Sequence, residues 1–131
     1  MCRKEKWADE WFKDLYLRVH EPIEKHRSTG FVPIKVAVID TGVNFGHREI
    51  QTAIQNGNIR KEHCQGFPSD PNHDPTADKN GHGTYVASVL LRTAPDVSLY
   101  IARAFNDAGR PRDRNDYKEL ANVCVSEHFP F

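Results

Sequence analysis

The stretch Val-Ala-Val-Ile-Asp-Thr-Gly, residues 36–42, decides the fold class of this chain. It belongs to a run from Ile34 to Ile39 that is rich in β-branched residues and contains only Lys35 as a polar residue. Such a run predicts a strand covered on both faces, as in a parallel sheet. Asp40 would then lie at the carboxyl end of that strand, where active sites form in open parallel sheets. By itself, an Asp before Gly fits a turn without chemistry equally well.

A second motif, Asn-Gly-His-Gly-Thr-Tyr-Val-Ala at residues 80–87, precedes a predicted helix. The apolar spacing predicts that helix from Gly83 to Leu91, and Thr93-Ala94-Pro95 would end it. His82 therefore lies at the helix start, whose positive end is expected to disfavour the protonated ring and keep a neutral base available. Read alone, Gly-His-Gly is also explained as a loop ahead of a helix.

The N-terminal region has a helical pattern. Apolar residues four apart, among them Trp7 and Trp11, predict a helix over residues 5–20, and Pro22 either ends this pattern or lies just past it. Its apolar face is predicted to pack on its own domain, and a partner-binding face is the alternative. Residues 24–33 are predicted to be a polar linker.

The remaining patterns alternate between strands and helices. They predict a short helix His47–Ile54, a loop over 55–80 with one short strand at Cys64–Phe67, a strand Val97–Ala104, a turn over 106–109 and a helix Asn115–Val125. This alternation predicts an α/β fold with a parallel sheet and flanking helices.

Composition excludes several classes of protein. The 131 residues suffice for one domain with a modest core, although the hydrophobic content of 38% and the mean hydropathy of −0.67 are low. The 18 basic and 18 acidic side chains cancel, so neither a nucleic-acid nor a membrane partner is expected. The charged N-terminus has no signal-peptide pattern, which favours an intracellular location.

No metal or cofactor is predicted. The three cysteines are odd in number and far apart, which indicates reduced thiols: Cys2, Cys64 and Cys124. A loop containing Asp70, Asp74 and Asp78 could bind Ca²⁺, but it lacks EF-hand spacing, and a solvated acidic loop is the preferred interpretation. The seven histidines include no His-Glu-x-x-His pattern, and all but His82 are interpreted as structural or surface residues.

The two motifs together resemble the subtilisin-like serine peptidases, the subtilases. Val-Ile-Asp-Thr-Gly at residues 38–42 and Gly-His-Gly-Thr-x-Val-Ala at 81–87 carry the resemblance. The stretch Ala-Pro-Asp-Val-Ser-Leu-Tyr at 94–100 extends it, since in that family an Ala-Pro turn precedes the next parallel strand. The resemblance covers roughly Ile34 to Ala104 and implies a subtilisin-like fold.

The resemblance implies catalytic roles for two residues. Asp40 corresponds to the carboxylate that orients the histidine and stabilises its charged form, and His82 corresponds to the general base. Four neighbours correspond to residues that shape the site: Thr41, Gly42, Gly83 and Thr84. Tyr85 stands where the family very often has a second histidine.

The third member of the family's triad, the serine, has no counterpart. Its motif, Gly-Thr-Ser-x-Ala or Gly-Thr-Ser-x-Ser, does not occur in the chain. The five serines lack that setting: Ser28, Ser69, Ser88, Ser98 and Ser126. The resemblance therefore implies a truncated catalytic domain, its N-terminal half only, over residues 34–131, after an N-terminal helix and linker over 1–33. A truncated gene model, a frame-shifted or spliced product and a decayed paralogue all remain open.

These features predict a serine-type endopeptidase by resemblance, acting on protein or peptide substrates if the full domain exists. This chain alone is predicted to be inactive, because it supplies the Asp and the His without the serine. The alternatives are a non-catalytic binding or regulatory module on the same scaffold and a metal-dependent hydrolase that uses His82 with the aspartates.

Overall fold

The computed structural model describes residues 3–67, 74–105, 108 and 118. The chain divides into two compact units, Met1–Pro33 and Ile34–Phe131. All but residue 118 of the predicted helix Asn115–Val125, and most of the predicted turn at 106–109, lie outside the described residues.

The first unit is helical. Helix α1 spans Arg3–Leu15, a π-helical turn spans Tyr16–His20, and helix α2 spans Glu21–Lys25. The prediction that Pro22 ends the helical pattern is wrong, because Pro22 lies in the first turn of α2. A proline is tolerated there, since the amide hydrogen it lacks is not needed in the first turn of a helical segment.

The tryptophan side chains of α1 are largely exposed. Trp7 is 72% exposed and Trp11 is 54% exposed, with the Trp11 ring in edge contact with Phe12 at 5.0 Å between centroids. The packing of the helical unit by itself therefore does not cover this face.

No helix in the described part of the chain combines the length and apolarity that crossing a bilayer requires.

The second unit contains a parallel sheet flanked by two helices. Its elements are β1 at Lys35–Asp40, α3 at Arg48–Gln55, β2 at Ile59–Gly66, α4 at His82–Thr93 and β3 at Ser98–Arg103. The strand order is β1-β3-β2, so the last strand in the sequence lies at the centre. All pairs are parallel, and Arg103 aligns with both Asp40 and Gly66. The predicted α/β fold with a parallel sheet and flanking helices is confirmed.

Strand β2 is longer than predicted. It begins at Ile59, whereas the sequence indicates a strand only near Cys64–Phe67. Residues 60–62 are exposed, and the register of β2 against β3 shifts between Ile59 and Cys64. This part of the strand therefore has neither the alternation nor the apolar run that would reveal it in the sequence.

Buried side chains lie on both faces of the sheet. Val38, Leu99 and Ile101 belong to one cluster that also includes residues of α3 and α4, among them Ile50 and Ala87. A second cluster contains Phe67, Tyr100 and Ala102. Burial on both faces explains the nearly continuous apolar runs of β1 and β3. The parallel pairing brings the carboxyl ends of all three strands to one edge.

Candidate active site

The structure brings the two predicted site residues together. Asp40 is the last residue of β1, and His82 is the first residue of α4. The Nδ1 atom of His82 lies 2.9 Å from Oδ1 and 2.8 Å from Oδ2 of Asp40. Gly81 is the N-cap residue of α4 and has φ = 88°, a left-handed conformation that glycine adopts without strain. The helix begins at the next residue, His82.

The Asp40–His82 pair combines a shielded carboxylate with an accessible ring. The side chain of Asp40 is 14% exposed and that of His82 is 63% exposed. An ionised carboxylate only accepts hydrogen bonds, so Nδ1 carries the hydrogen in this assignment, and Nε2 is left as a proton acceptor when the ring is neutral. The pair can therefore orient the ring and take up a proton.

Asp40 also sets the direction of the His82 titration. The hydrogen bond and the negative charge of Asp40 raise the pKa of His82, the small effect of burial opposes them, and the charge of Asp78 adds to the increase. The expectation that the start of α4 favours the neutral ring is therefore corrected. A carboxylate in direct contact outweighs the partial charge at a helix end.

Thr41 links the end of β1 to the start of α4. Its backbone N–H donates to Asp40 Oδ1 at 2.7 Å, a second contact that holds the carboxylate beside that of the histidine. The Thr41 hydroxyl accepts from the Gly83 backbone N–H at 3.1 Å and lies 2.9 Å from Oδ1 of Asp78. Thr41 is only 2% exposed, so these contacts are made away from solvent.

Gly83 allows α4 to approach β1 closely. A Cβ atom built on Gly83 would clash with the carbonyl oxygen of Gly42 and lie 3.2 Å from the Asp40 Cβ. Gly42 itself has φ = 96°, and a Cβ there would meet the carbonyl oxygen of Pro75 at 3.0 Å. Gly83 is therefore required because of the backbone contact, and Gly42 because of both its contact and its left-handed conformation.

The structure assigns Arg103 a role that the sequence does not reveal. It is 5% exposed at the end of β3, and its Nη1 donates to the carbonyl oxygens of Asp74 at 3.0 Å and Ala77 at 2.7 Å. The same loop accepts hydrogen bonds from the backbone of Val43 and Phe45. Arg103 thus anchors the segment that leads towards α4.

The acidic loop is used differently from its preferred interpretation. Asp74 accepts hydrogen bonds from Thr76, whereas Asp78 is 8% exposed and is not a solvated residue. Asp70 lies outside the described residues. Within the described part of the chain there is no group of three His, Cys, Asp or Glu side chains placed to hold a metal ion.

Among the described residues, the His82 ring is hydrogen-bonded to Asp40 and to no serine. Ser28, Ser88 and Ser98 are described, and Ser69 and Ser126 are not. Cys64 is a poor alternative nucleophile, because burial, as the main cause, raises the pKa of its thiol to about 12.

A cleft of about 420 Å³ lies between α3 and α4. Tyr85, which is 69% exposed, and His47 contribute to its lining, whereas Asp40 and His82 do not. Tyr85 therefore faces a cleft that the Asp40–His82 pair does not line.

The fold and the site define an α/β protein with a strand-end carboxylate paired to a helix-start histidine. Residues 33–117 match the subtilase family. The chain therefore belongs to the subtilase family, as its motifs predict, and this membership supports a serine-peptidase-like function.

Similar proteins include several bacterial peptidases. The chain is 33% identical to the "Intracellular serine protease" of Paenibacillus polymyxa over 58% of its own length and 24% of that protein. It is 32% identical to "Subtilisin BL" of Lederbergia lenta, with 71% of the chain and 34% of that protein covered. It is also 32% identical to "Alkaline elastase YaB" of Bacillus sp. (strain YaB), with 70% and 24% covered. The chain thus spans between a quarter and a third of these relatives.

Proposed function

We propose that this chain contributes the aspartate and the histidine of a serine endopeptidase site. The observation that carries the proposal is the contact between His82 Nδ1 and the Asp40 carboxylate, at 2.8 and 2.9 Å. In this role His82 Nε2 takes the proton of a serine hydroxyl as it attacks a peptide carbonyl, and later gives the proton to the leaving amine. Asp40 holds the ring and stabilises the imidazolium that forms.

The substrate class in this proposal is protein or peptide. Family membership and the names of the relatives, which are proteases and an elastase, support that class. Residues 34–131 are proposed to be part of the peptidase domain, with residues 1–33 as an N-terminal helix and linker. These 131 residues are proposed not to form an acyl-enzyme on their own, since no serine has the nucleophile motif and none of the described serines contacts His82.

A fluorophosphonate probe tests the missing nucleophile. The chain is expected to show no labelling above that of the His82→Ala variant, because a serine must be deprotonated by the base to attack the probe. Subtilisin BL serves as the positive control. Labelling of the chain that disappears in His82→Ala would mean that one of its five serines is an activated nucleophile.

The titration of His82 tests the role of Asp40. Asp40→Asn is expected to lower the pKa of His82, because it removes the group that raises this pKa most. A raised pKa means that the pair stabilises the fold below the unfolded value of about 6.5, and that this contribution is lost as pH rises through the folded pKa. The histidine ring signals in NMR spectra report the titration midpoint of His82 in each variant.

Asp14→Asn is the control for this titration. It removes the same charge from an exposed carboxylate that pairs with Arg18 at 3.2 Å in the helical unit. The titration midpoint of His82 should not change in this variant. An unchanged midpoint in Asp40→Asn would contradict the proposed pairing.

A further inference from the structure

We infer that Asp78 is a positioning residue, which holds His82 against Asp40 by binding the residues next to each of them. The inference rests on the proposed function, because it concerns the same pair. Asp78 lies four residues before His82 in a polar loop that contains other aspartates, so its spacing alone does not distinguish it.

The carboxylate of Asp78 receives four hydrogen bonds. Oδ1 accepts from the Thr41 hydroxyl at 2.9 Å and from the Gly81 backbone N–H at 2.8 Å. Oδ2 accepts from the Thr84 backbone N–H at 2.9 Å and from the Thr84 hydroxyl at 2.6 Å. Thr41 follows Asp40 in the chain, and Gly81 and Thr84 lie on either side of His82. One side chain thus binds neighbours of both members of the pair.

Two further hydrogen bonds close this network. The Thr41 hydroxyl accepts from the Gly83 backbone N–H at 3.1 Å, and the Thr84 hydroxyl accepts from the Asn44 backbone N–H at 2.9 Å. The three side chains at its centre are buried: Thr41 is 2% exposed, Thr84 is 6% exposed and Asp78 is 8% exposed. The start of α4 is therefore bound to the turn after β1 by contacts that are shielded from water.

The network requires a carboxylate at position 78. All four partners of Asp78 donate, so an asparagine would turn its own amide hydrogens towards at least one other donor. Burial of Asp78 raises its pKa, but the hydrogen bonds from Thr84, Gly81 and Thr41 together outweigh this effect and leave the pKa lowered. Asp78 therefore remains ionised at neutral pH, and its charge strengthens each of the four hydrogen bonds.

The Nδ1 proton of His82 provides the test. In a chain labelled with ¹⁵N-histidine, a low-field Nδ1 proton resonance and a raised titration midpoint report the Asp40–His82 hydrogen bond. Asp78→Asn is expected to abolish the resonance while the amide signals of β3 remain dispersed, and the resonance decides the test because loss of the Asp78 charge lowers the midpoint by itself. The control is Asn58→Ala, which removes two hydrogen bonds to Pro95 and Val97 at the opposite end of β3 and should leave the resonance in place.

A second variant applies if Asp78→Asn does not fold. Thr84→Val keeps the shape of the side chain and the backbone N–H donor, and removes the 2.6 Å hydroxyl contact to Asp78. It should weaken the Nδ1 resonance, although Thr84 contacts neither member of the pair.

The outcomes separate the two proposals. If the wild-type chain lacks both the resonance and the raised midpoint, the proposed Asp40–His82 pairing fails. If the wild type has them and folded Asp78→Asn keeps the resonance, the role of Asp78 is overturned while the pairing stands. The role is also overturned if Thr84→Val leaves the signal unchanged when Asp78→Asn is unfolded, or if Asn58→Ala loses the signal too.

Discussion

Gly83→Ala is expected to destabilise the second unit by about 3 kcal/mol and to separate His82 from Asp40, because overpacking against backbone cannot be relieved by a side-chain rotation. The added methyl group would collide with the Gly42 carbonyl oxygen, and the Asp40 Cβ lies close by. Helix α4 would have to move away from the turn after β1. Urea denaturation followed by the amide signals of β3 measures the loss of stability, and the His82 Nδ1 resonance reports the separation.

Gly81→Ala is the matched control for this substitution. Gly81 also flanks His82, and it has φ = 88° with no atom within 4 Å of an added Cβ. Its cost is therefore only the left-handed backbone conformation of an alanine, about 1 kcal/mol. If both variants lose the same free energy, the contact of residue 83 with Gly42 costs no more than the left-handed conformation at residue 81, and the predicted overpacking is wrong.

Leu99→Ala is expected to lower the free energy of unfolding of the second unit by about 3 kcal/mol, the usual cost of truncating a fully buried leucine. Leu99 is 0% exposed in the central strand and aligns with Val36 of β1 and Ile59 of β2. The cavity would therefore open in the cluster that the sheet forms with α3 and α4. Both tryptophans of the chain, Trp7 and Trp11, belong to the helical unit, so amide signals of β3 are the appropriate probe.

Leu17→Ala provides the comparison for Leu99→Ala. Leu17 is 49% exposed and belongs to the helical unit, so the same truncation there should leave the unfolding of the sheet unchanged. A small effect of Leu99→Ala, similar to that of Leu17→Ala, would mean that β3 is not the centre of the cooperative core.

Local patterns in the sequence were sufficient for much of the second unit. The apolar run at 34–39 predicted β1, and the spacing after Gly81 predicted α4, each to within a few residues. These predictions succeed because burial on both faces of a strand, or on one face of a helix, dictates residue types along the chain itself. The two motifs also predicted the subtilase family, which the family match confirms. They supplied Asp40 and His82 as the residues proposed for catalysis.

Other features were decided by contacts between distant parts of the chain. The central position of β3 follows from its pairing with two strands that precede it in the chain. The first half of β2 was not predicted, because its register shifts and it lacks a regular strand pattern. The helical structure continues past Pro22 after a π-helical turn, and the residue pattern predicted neither feature.

The sequence by itself determined the fold class, the family and the two residues proposed for catalysis, because each of these is written in short stretches of residue types. Only the tertiary structure decided why Gly83 must be glycine, why the pKa of His82 is raised and what Asp78 binds. The Thr41 hydroxyl that reaches Asp78 is 37 positions away in the chain, and the Asp40 carboxylate that reaches His82 is 42 away. Hydrogen-bond strength and charge effects depend on distances of a few ångströms, and folding alone sets those distances.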